Sequence, residues 1–322
     1  MRTVRIHSTG GPEVLQVDDI PSGEVPAGHL RVTIAAAGVN FIDTYQRSGL
    51  YPLPLPARMG REGAGIVAEV GEGVDASLVG TRVAWAAING SYAESAVLPL
   101  AGVVPVPDDV ELRLAAAVAL QGLTAHYLAT STADIGAGTT TLVYAPAGGT
   151  GRLLVQLLKR AGATVIACTS SEEKAEVARG LGADAVIRYR DVDVVAEVRE
   201  FTGGAGVDVV YDSVGRDTFE RSLDCLRPRG LMVLYGGSSG PVDPIDPQAL
   251  NRRGSLYLTR PALTHYIADR AELTWRAEAL FGLVGSGALE VAIHGEYPLE
   301  DAAQAHRDIE SGLTMGKLLL TP

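Results

Sequence analysis

The sequence predicts an α/β protein in which a mainly β first region is followed by a doubly wound parallel sheet. Up to about residue 109, short alternating apolar segments are separated by Gly and Pro clusters, which is typical of short strands. From about residue 112 a helical period begins, and strand and helix patterns then alternate, as in a sheet covered by helices on both faces. Because 322 residues are many for one core, we expect two domains.

Composition and charge exclude several classes of protein. The 38 acidic and 27 basic residues give a net charge of −11, so neither nucleic acid nor an anionic membrane is an expected partner. Cys168 and Cys225 are the two cysteines, and both lie in apolar patterns, which favours a reducing compartment over a disulfide framework. The sequence shows neither a signal-peptide pattern nor an apolar run that could span a bilayer, so a cytoplasmic location is expected.

The segment Thr139–Gly162 indicates a site for a dinucleotide. It contains a buried strand, a glycine-rich turn and an apolar helix, and the strand at Val165–Cys168 completes a β-α-β unit. Gly148 would let the backbone approach a pyrophosphate, Gly151 would let the helix pack closely on the strand, and the helix N-terminus favours the anion. Pro146 stands where the usual first glycine would be. A tight strand-to-helix turn is the simpler alternative, and the flanking strands favour the dinucleotide.

The end of the second strand favours NADPH over NADH. An NAD site usually carries an acidic residue there, whereas this chain has Ser170, Ser171 and then Lys174. Hydroxyl donors and a positive charge suit a 2′-phosphate, which a carboxylate would repel. Ser170 with Glu173 also fits a capping box at the start of the next helix, and the two roles are compatible.

The last part of the chain is expected to rejoin the first domain. A helical pattern covers Asp269–Val284, and it is followed by the strand pattern AIHGEYP, a helix in DAAQAHRDIES and a strand in KLLLT. The proline-rich run Tyr51–Pro56 is interpreted as a rigid loop.

Four segments spread along the chain carry a resemblance to a known family. GGPEVLQ, NFIDTYQRSGLYP, YDSVGRDTFERSLDCL and GSLYLTRP resemble the NADPH:quinone oxidoreductases, the zeta-crystallin-like, zinc-independent branch of the medium-chain dehydrogenase/reductase superfamily. The resemblance implies a GroES-like catalytic domain formed by residues 1–122 and 265–322, and a Rossmann NADPH-binding domain at 123–264. It also implies a homodimer, in which the sheet edge near SLYLTR pairs with its copy.

The resemblance implies that no metal is bound. Zinc alcohol dehydrogenases of the superfamily hold their metal with a Cys in the segment GVN and a His in the segment GRE, where this chain has Asn40 and Arg61. Without a Lewis acid, reduction of an already electrophilic acceptor is the expected chemistry. Asp43 and Glu62 also match superfamily positions but are not assigned to the site.

The resemblance places the acceptor in a cleft between the domains, against Asn40, Tyr45, Tyr51 and Arg260. Asn40 would donate an N–H group to a quinone oxygen or to the nicotinamide ribose. The tyrosines would offer ring faces and hydroxyls, and Arg260 would stabilise the reduced oxygen. Each residue also has a structural alternative. Asn40 could be a turn residue at the end of a strand, the two tyrosines could pack against the proline loop, and Arg260 could form an ion pair with a surface acid.

The glycine turn and the resemblance together predict contacts with the cofactor in five segments. The predicted residues are Thr124, Ala147, Gly148, Gly149, Thr150, Gly151, Ser170, Ser171, Lys174, Tyr189, Gly237 and Ser238.

The predicted activity is transfer of reducing equivalents from NADPH to a quinone, a small-molecule substrate. Two alternatives stay open: reduction of α,β-unsaturated aldehydes or ketones, and a non-catalytic NADPH-binding protein with a structural or regulatory task. No residue is expected to be an indispensable acid, because a hydroquinone oxygen can take its proton from water.

Overall fold

The computed structural model describes residues 1–322, which separate into two compact units. The first unit comprises Met1–Leu123 and Tyr266–Pro322, and the second comprises Thr124–His265. None of the helices has the length and apolar character that crossing a bilayer requires.

The chain forms sixteen strands, ten α-helices and four short 3₁₀ helices. The strands are β1 (Arg2–Ile6), β2 (Gln16–Asp19), β3 (His29–Val39), β4 (Ala57–Arg58), β5 (Glu62–Val70), β6 (Arg82–Ala86), β7 (Ser95–Pro99), β8 (Val103–Pro105), β9 (Thr140–Tyr144), β10 (Thr164–Thr169), β11 (Ala185–Arg188), β12 (Val207–Asp212), β13 (Leu226–Leu234), β14 (Tyr257–Thr259), β15 (Ile293–Pro298) and β16 (Lys317–Thr321). The α-helices are α1 (Phe41–Ser48), α2 (Leu112–Thr130), α3 (Gly149–Arg160), α4 (Glu172–Gly180), α5 (Val194–Phe201), α6 (Phe219–Cys225), α7 (Gln248–Arg252), α8 (Leu263–Tyr266), α9 (Arg270–Gly285) and α10 (Ala302–Glu310). The 3₁₀ helices are Pro12–Val14, Ala76–Leu78, Leu100–Gly102 and Leu299–Asp301.

The first unit is built around the long strand β3. It pairs antiparallel with β5, β7 and β16 in a seven-stranded sheet of order β15-β16-β3-β5-β6-β8, with β7 beside β3. Alternate residues of β3, such as Leu30, Val32 and Ile34, are buried in the apolar core, because successive side chains of a strand point to opposite faces. A separate antiparallel sheet has the order β2-β1-β4.

The second unit is a six-stranded sheet of order β11-β10-β9-β12-β13-β14 in which all pairs are parallel. Residues Val165 to Thr169 of β10 are all buried, as expected for a strand with helices on both faces. The chain adds strands on one side of β9 and then on the other, so the direction of winding reverses between β9 and β12. The predicted α/β fold class with a β-rich unit and a doubly wound unit is confirmed.

Candidate active site

The glycine-rich turn joins β9 to α3 at the carboxyl end of the parallel sheet. Gly148 is the N-cap of α3, which begins at Gly149. A methyl group on Gly151 would lie 2.1 Å from the carbonyl oxygen of Ala145, so only glycine permits this approach of helix to strand. A methyl group on Gly148 would lie 3.4 Å from the same oxygen and meet nothing else within 4 Å. The backbone at Gly148 is therefore accessible to a ligand, whereas close packing of α3 on Ala145 leaves no space for a side chain or a ligand at Gly151.

The first turn of α3 offers backbone donors to an anion. The leading N–H groups of a helix lack intrahelical acceptors, and the helix dipole is positive at that end. Gly149 and Thr150 are half-buried in this turn, Ala147 before them is buried, and Pro146 supplies no N–H group. Since β9 lies between β10 and β12, where the winding reverses, the turn is at the position where doubly wound sheets bind nucleotides.

The segment after β10 carries hydroxyl groups. Ser171 is the N-cap of α4, and its Oγ accepts a hydrogen bond from the N–H of Lys174 at 3.4 Å. The predicted capping box of Ser170 with Glu173 is therefore wrong, because the helix begins at Glu172, one residue later than that box requires. Ser170, directly before this N-cap, is half-buried, and we expect its hydroxyl to be available to a ligand.

Two cations lie beside these hydroxyls. The N–H of Tyr189 donates to the carbonyl oxygen of Thr169 at 3.0 Å, which brings the end of β11 next to Ser170. Burial lowers the pKa of Lys174, and the positive charge of Arg190 lowers it further. A bound anion would relieve the repulsion between the two cations. Arg190 was not among the residues predicted from the sequence.

The loops after β12 and β13 pack against one another. The N–H of Ser238 donates to the carbonyl oxygen of Ser213 at 3.1 Å. A methyl group on Gly215 would lie 3.0 Å from the Cα of Gly237, so the two backbones are in close contact. The predicted residues Gly237 and Ser238 therefore lie in a firmly held loop at the carboxyl end of the sheet.

Asp212 organises the first of these two loops. This carboxylate, at the end of β12, is fully buried. Its Oδ1 accepts from the N–H groups of Val214 at 2.7 Å and Gly215 at 3.1 Å. Its Oδ2 accepts from the hydroxyls of Thr218 at 2.7 Å and Ser222 at 2.8 Å. Four donors compensate for burial of the charge and fix the loop.

Arg260 lies directly after β14 and is exposed. Its Nη1 donates to the carbonyl oxygen of Leu234, the last residue of β13, at 3.0 Å. The guanidinium therefore lies at the carboxyl end of the sheet and is not held by a surface acid, which was the structural alternative for this residue. Thr124 is half-buried within α2.

Helix α1 in the first unit differs from an ordinary surface helix, because its fully buried residues are polar. These buried residues are Asp43, Thr44, Gln46 and Arg47. Tyr45 is only half-buried, and Tyr51 in the following loop is 40% exposed. The two rings meet edge to face with centroids 5.4 Å apart, and the N–H of Tyr51 donates to the carbonyl oxygen of Tyr45 at 3.0 Å. The tyrosines thus form an aromatic surface held by α1.

Asn40 is the N-cap residue of α1 and is buried. Its Nδ2 donates to Glu62 Oε2 at 2.8 Å and to the carbonyl oxygen of Gly38 at 3.3 Å, while its Oδ1 accepts from Lys317 Nζ at 2.9 Å. Both amide hydrogens are therefore engaged within the chain, and the expected donation from Asn40 to a substrate has no free N–H group in this arrangement.

A chain of hydrogen bonds runs along the buried face of α1. Arg47 Nη1 lies 3.2 Å from His306 Nδ1, His306 Nε2 lies 3.2 Å from the Tyr92 hydroxyl, and that hydroxyl lies 2.9 Å from Asp43 Oδ2. Because arginine only donates, His306 must accept at Nδ1 and donate from Nε2, and Tyr92 then donates to Asp43. Arg47 also forms an ion pair with Glu310 at 2.8 Å. Burial raises the pKa of Asp43 to about 7.

Replacement of His306 by Gln is expected to change how stability depends on pH. Burial and the nearby Arg47 lower the pKa of His306 to about 3, against about 6.5 in the unfolded chain. The native state therefore keeps this ring neutral, while the unfolded state binds a proton below pH ~6.5. The contribution of His306 to the free energy of unfolding is consequently lost as pH falls from ~6.5 towards ~3. The unfolding free energy of wild type relative to His306→Gln should fall by about 2 kcal/mol between pH ~6.5 and ~5. Urea unfolding at several pH values measures the difference, and parallel curves for the two proteins would contradict the assignment.

The residues at the metal positions of zinc dehydrogenases do not fit a divalent cation here. Arg61 Nη2 donates to the carbonyl oxygen of Ala87 at 2.8 Å, and the oxygens of Asn40 and Glu62 already accept from the Lys317 ammonium. No group of three or more His, Cys, Asp or Glu side chains is arranged to hold a metal ion.

The predicted site residues are divided between the two units. Asn40, Tyr45 and Tyr51 belong to the first unit, whereas Arg260 and all twelve predicted cofactor contacts belong to the second. Sequence reasoning missed the buried polar residues around α1. A lysine at the start of the apolar strand KLLLT was the available signal for Lys317, but a lysine at the end of a strand is usually solvated.

The comparisons with known proteins agree with this architecture. The family model described as alcohol dehydrogenase GroES-like domain matches residues 26–108, and that described as zinc-binding dehydrogenase matches residues 149–269. Together with the two-unit fold, these matches define a medium-chain dehydrogenase/reductase.

Individual relatives show to which family within this superfamily the chain belongs. The quinone oxidoreductase of Salmonella typhimurium is 45% identical, with 99% of each chain covered. The crystal structure of Escherichia coli quinone oxidoreductase complexed with NADPH is 44% identical, covers all of both chains and superimposes with a TM-score of 0.98. A 2-haloacrylate reductase of Burkholderia sp is 42% identical over 98% of each chain. The chain belongs to the quinone oxidoreductase family of this superfamily.

Proposed function

We propose that the protein is an NADPH-dependent quinone reductase that works without zinc. The observation that carries this proposal is the nucleotide site of the second unit. There, the open glycine turn before α3 and the end of β10 lie at the same edge of the sheet, and residues 169–171 carry hydroxyls and no acid, with Lys174 following them. A relative 44% identical to this chain has been crystallised with NADPH, which supports the same cofactor here.

The residues that would hold NADPH divide by the chemistry that they offer. The N–H groups at Gly149 and Thr150 suit the pyrophosphate. Ser170 and Lys174 suit the 2′-phosphate, and Tyr189 borders it. The remaining predicted contacts, Thr124, Ala147, Gly148, Gly151, Ser171, Gly237 and Ser238, are assigned to shaping the site. When bound, NADPH supplies the hydride that reduces the acceptor.

The acceptor is proposed to lie against the aromatic surface of Tyr45 and Tyr51. A half-buried ring beside an exposed one suits the flat, conjugated face of a quinone. Arg260 would stabilise negative charge on the reduced oxygen, because a guanidinium group offers several N–H donors and a positive charge. Asn40 contributes by fixing the start of α1, since its amide is already engaged. No side chain is assigned as an obligatory acid, and water supplies the protons.

Steady-state oxidation of NADPH and of NADH, measured with a panel of quinones and enals, tests the proposal. We expect quinones with NADPH to give the highest kcat/KM. A preference for NADH would contradict the 2′-phosphate site, and binding of NADPH without turnover of any acceptor would establish the non-catalytic alternative.

Reduction of conjugated carbonyl compounds is the second candidate function. A relative named 2-haloacrylate reductase is 42% identical over almost the whole chain, so this fold also serves a substrate with a polarised double bond. Higher kcat/KM with enals than with quinones in the same panel would favour it.

Replacement of Tyr45 by Phe is expected to lower kcat/KM for the quinone by about two- to tenfold, because one neutral hydrogen bond is lost while the ring stays. Turnover at varied quinone concentration measures the effect. Tyr297→Phe is the matched control, because its hydroxyl binds Asp308 at 2.7 Å elsewhere in the first unit. Complete loss of turnover in Tyr45→Phe with NADPH binding intact would contradict the scheme and make Tyr45 an obligatory acid.

We also propose a cytoplasmic homodimer of the zeta-crystallin-like type. The strand β14 is the last in its sheet and leaves one edge unpaired, and Tyr257 on it is 62% exposed. Pairing of this edge with a second copy would satisfy its backbone groups. Both cysteines are free and buried, which suits a reducing compartment.

A further inference from the structure

A buried ion pair beside the aromatic surface has no role in the function proposed so far. Lys317, the first residue of β16, is 1% exposed, and Glu62, the first residue of β5, is fully buried. The Lys317 ammonium donates to Glu62 Oε2, and Glu62 Oε1 accepts from the backbone N–H of Leu120 at 2.6 Å. A methyl group on Gly38 would lie 2.1 Å from Glu62 Oε2 and 2.6 Å from Lys317 Cε, so β3 has room for this pair only because residue 38 is glycine. The fold therefore accommodates two buried charges that an apolar pair could replace.

The ammonium also decides the orientation of the Asn40 amide. Lysine has donors and no acceptor, so Lys317 Nζ, at 2.9 Å, must face Oδ1 and not Nδ2. Nδ2 then faces the carboxylate of Glu62 at 2.8 Å, where it can only donate. The side chains of Lys317, Asn40 and Glu62 thus form a closed set of three hydrogen bonds, and in each bond only one of the two groups can be the donor. Asn40 consequently has a single conformation.

The fixed Asn40 sets the first turn of α1. Its backbone N–H donates to Asp43 Oδ2 at 2.9 Å, and the N–H of Asp43 donates to the carbonyl oxygen of Asn40 at 3.0 Å. The other end of α1 is held by Arg47 on Glu310. Since the fully buried residues of α1 are all polar, we expect these polar contacts, together with the packing of Phe41 against the apolar core, to decide where the helix places Tyr45.

We propose that Lys317 is a positioning residue for quinone reduction. Its ammonium fixes the orientation of the Asn40 side chain, and Asn40 in turn holds α1 and the aromatic surface of Tyr45 and Tyr51 in the reactive arrangement. This inference rests on the proposed function. Lys317 touches neither acceptor nor NADPH in this scheme and acts through Asn40. Its removal should affect kcat more than the KM for NADPH, because the proposed NADPH contacts all belong to the second unit.

The test compares Lys317→Met with the double variant Glu62→Gln, Lys317→Met. Lys317→Met alone leaves the Glu62 carboxylate buried without a cation and should lower both thermal stability and kcat. The double variant has no unpaired charge and should regain most of the stability. Its kcat should stay about 10- to 100-fold below wild type, because the amide of Gln at position 62 can face Asn40 in either orientation and no ammonium fixes the Asn40 amide. Its KM for NADPH should stay within about twofold of wild type.

Recovery of kcat together with stability in the double variant would overturn the inference and leave the pair a purely structural role. If Lys317→Met does not fold, the kcat of the double variant relative to wild type still tests the inference. Lys159→Met is the matched control, because Lys159 pairs with Asp184 at 2.6 Å in the second unit, and kcat should not change.

A mutant cycle tests whether Lys317 acts through Asn40. In an Asn40→Ala background, loss of Lys317 should lower kcat by no further factor, and full additivity would overturn the inference. Absence of quinone turnover in wild type would instead reject the proposed function, and the inference with it. Turnover in wild type together with full kcat in the double variant rejects the inference alone.

Discussion

Replacement of Gly151 by Ala is expected to disrupt the nucleotide-binding turn and to destabilise the second unit by about 3 kcal/mol, the upper end of the usual cost of overpacking. The added methyl group would lie 2.1 Å from the carbonyl oxygen of Ala145 and 3.0 Å from the Cα of Pro146, and neither backbone atom can rotate away as a side chain could. Helix α3 must therefore move off β9, which also displaces the N–H groups that would bind the pyrophosphate. Urea unfolding and NADPH titration measure the two effects.

Two alanine variants serve as controls for this prediction. Gly180 is exposed, and a methyl group there would meet nothing within 4 Å, so Gly180→Ala in α4 should be neutral or slightly stabilising. Gly148→Ala should keep its stability, because its methyl group meets only Ala145 at 3.4 Å, yet it should weaken NADPH binding by obstructing the approach of the pyrophosphate. Full NADPH affinity in both Gly148→Ala and Gly151→Ala would mean that the cofactor does not bind at this turn.

Replacement of Lys174 by Glu is expected to lower kcat/KM for NADPH roughly 100-fold, or ~2.7 kcal/mol, while changing kcat/KM for NADH by less than about threefold. The change would remove the proposed charge-assisted hydrogen bond from Lys174 to the 2′-phosphate and would place a negative charge beside that dianion. NADH has no such phosphate, so the selectivity between the two nucleotides reports on this contact alone.

Arg160→Glu is the matched control for charge. Arg160 is exposed at the end of α3 opposite to the glycine turn, and the substitution changes the net charge by the same amount. It should leave the ratio of the two kcat/KM values unchanged. An equal loss for NADPH and NADH in Lys174→Glu would show that Lys174 supports the fold of the site and does not recognise the phosphate.

The nucleotide half of the molecule could be predicted from the sequence because its signals are local. The strand, glycine turn and helix around Gly148 follow one another along the chain, and the apolar run at β10 shows burial on both faces. The error at Ser170 concerned one residue, since Ser170 and Ser171 are both good N-caps and only the helix start distinguishes them.

The surroundings of α1 could not be predicted, because they depend on contacts distant in sequence. Asp43 and Arg47 look like solvated residues of a surface helix, and nothing near them in the chain indicates their partners Tyr92 and Glu310. Asn40 could be placed at the start of α1, but its engagement by Lys317 is visible only in three dimensions.

The polar anchoring of α1 has a consequence for biosynthesis. Asn40 and its partner Lys317 are 277 positions apart, and Arg47 and Glu310 are 263 apart. During translation, α1 emerges long before either partner, with polar groups on the side that must later be enclosed, and closing such long loops is slow. If Lys317 positions α1 as proposed, we expect that a nascent chain stopped before residue 317 does not reduce quinones.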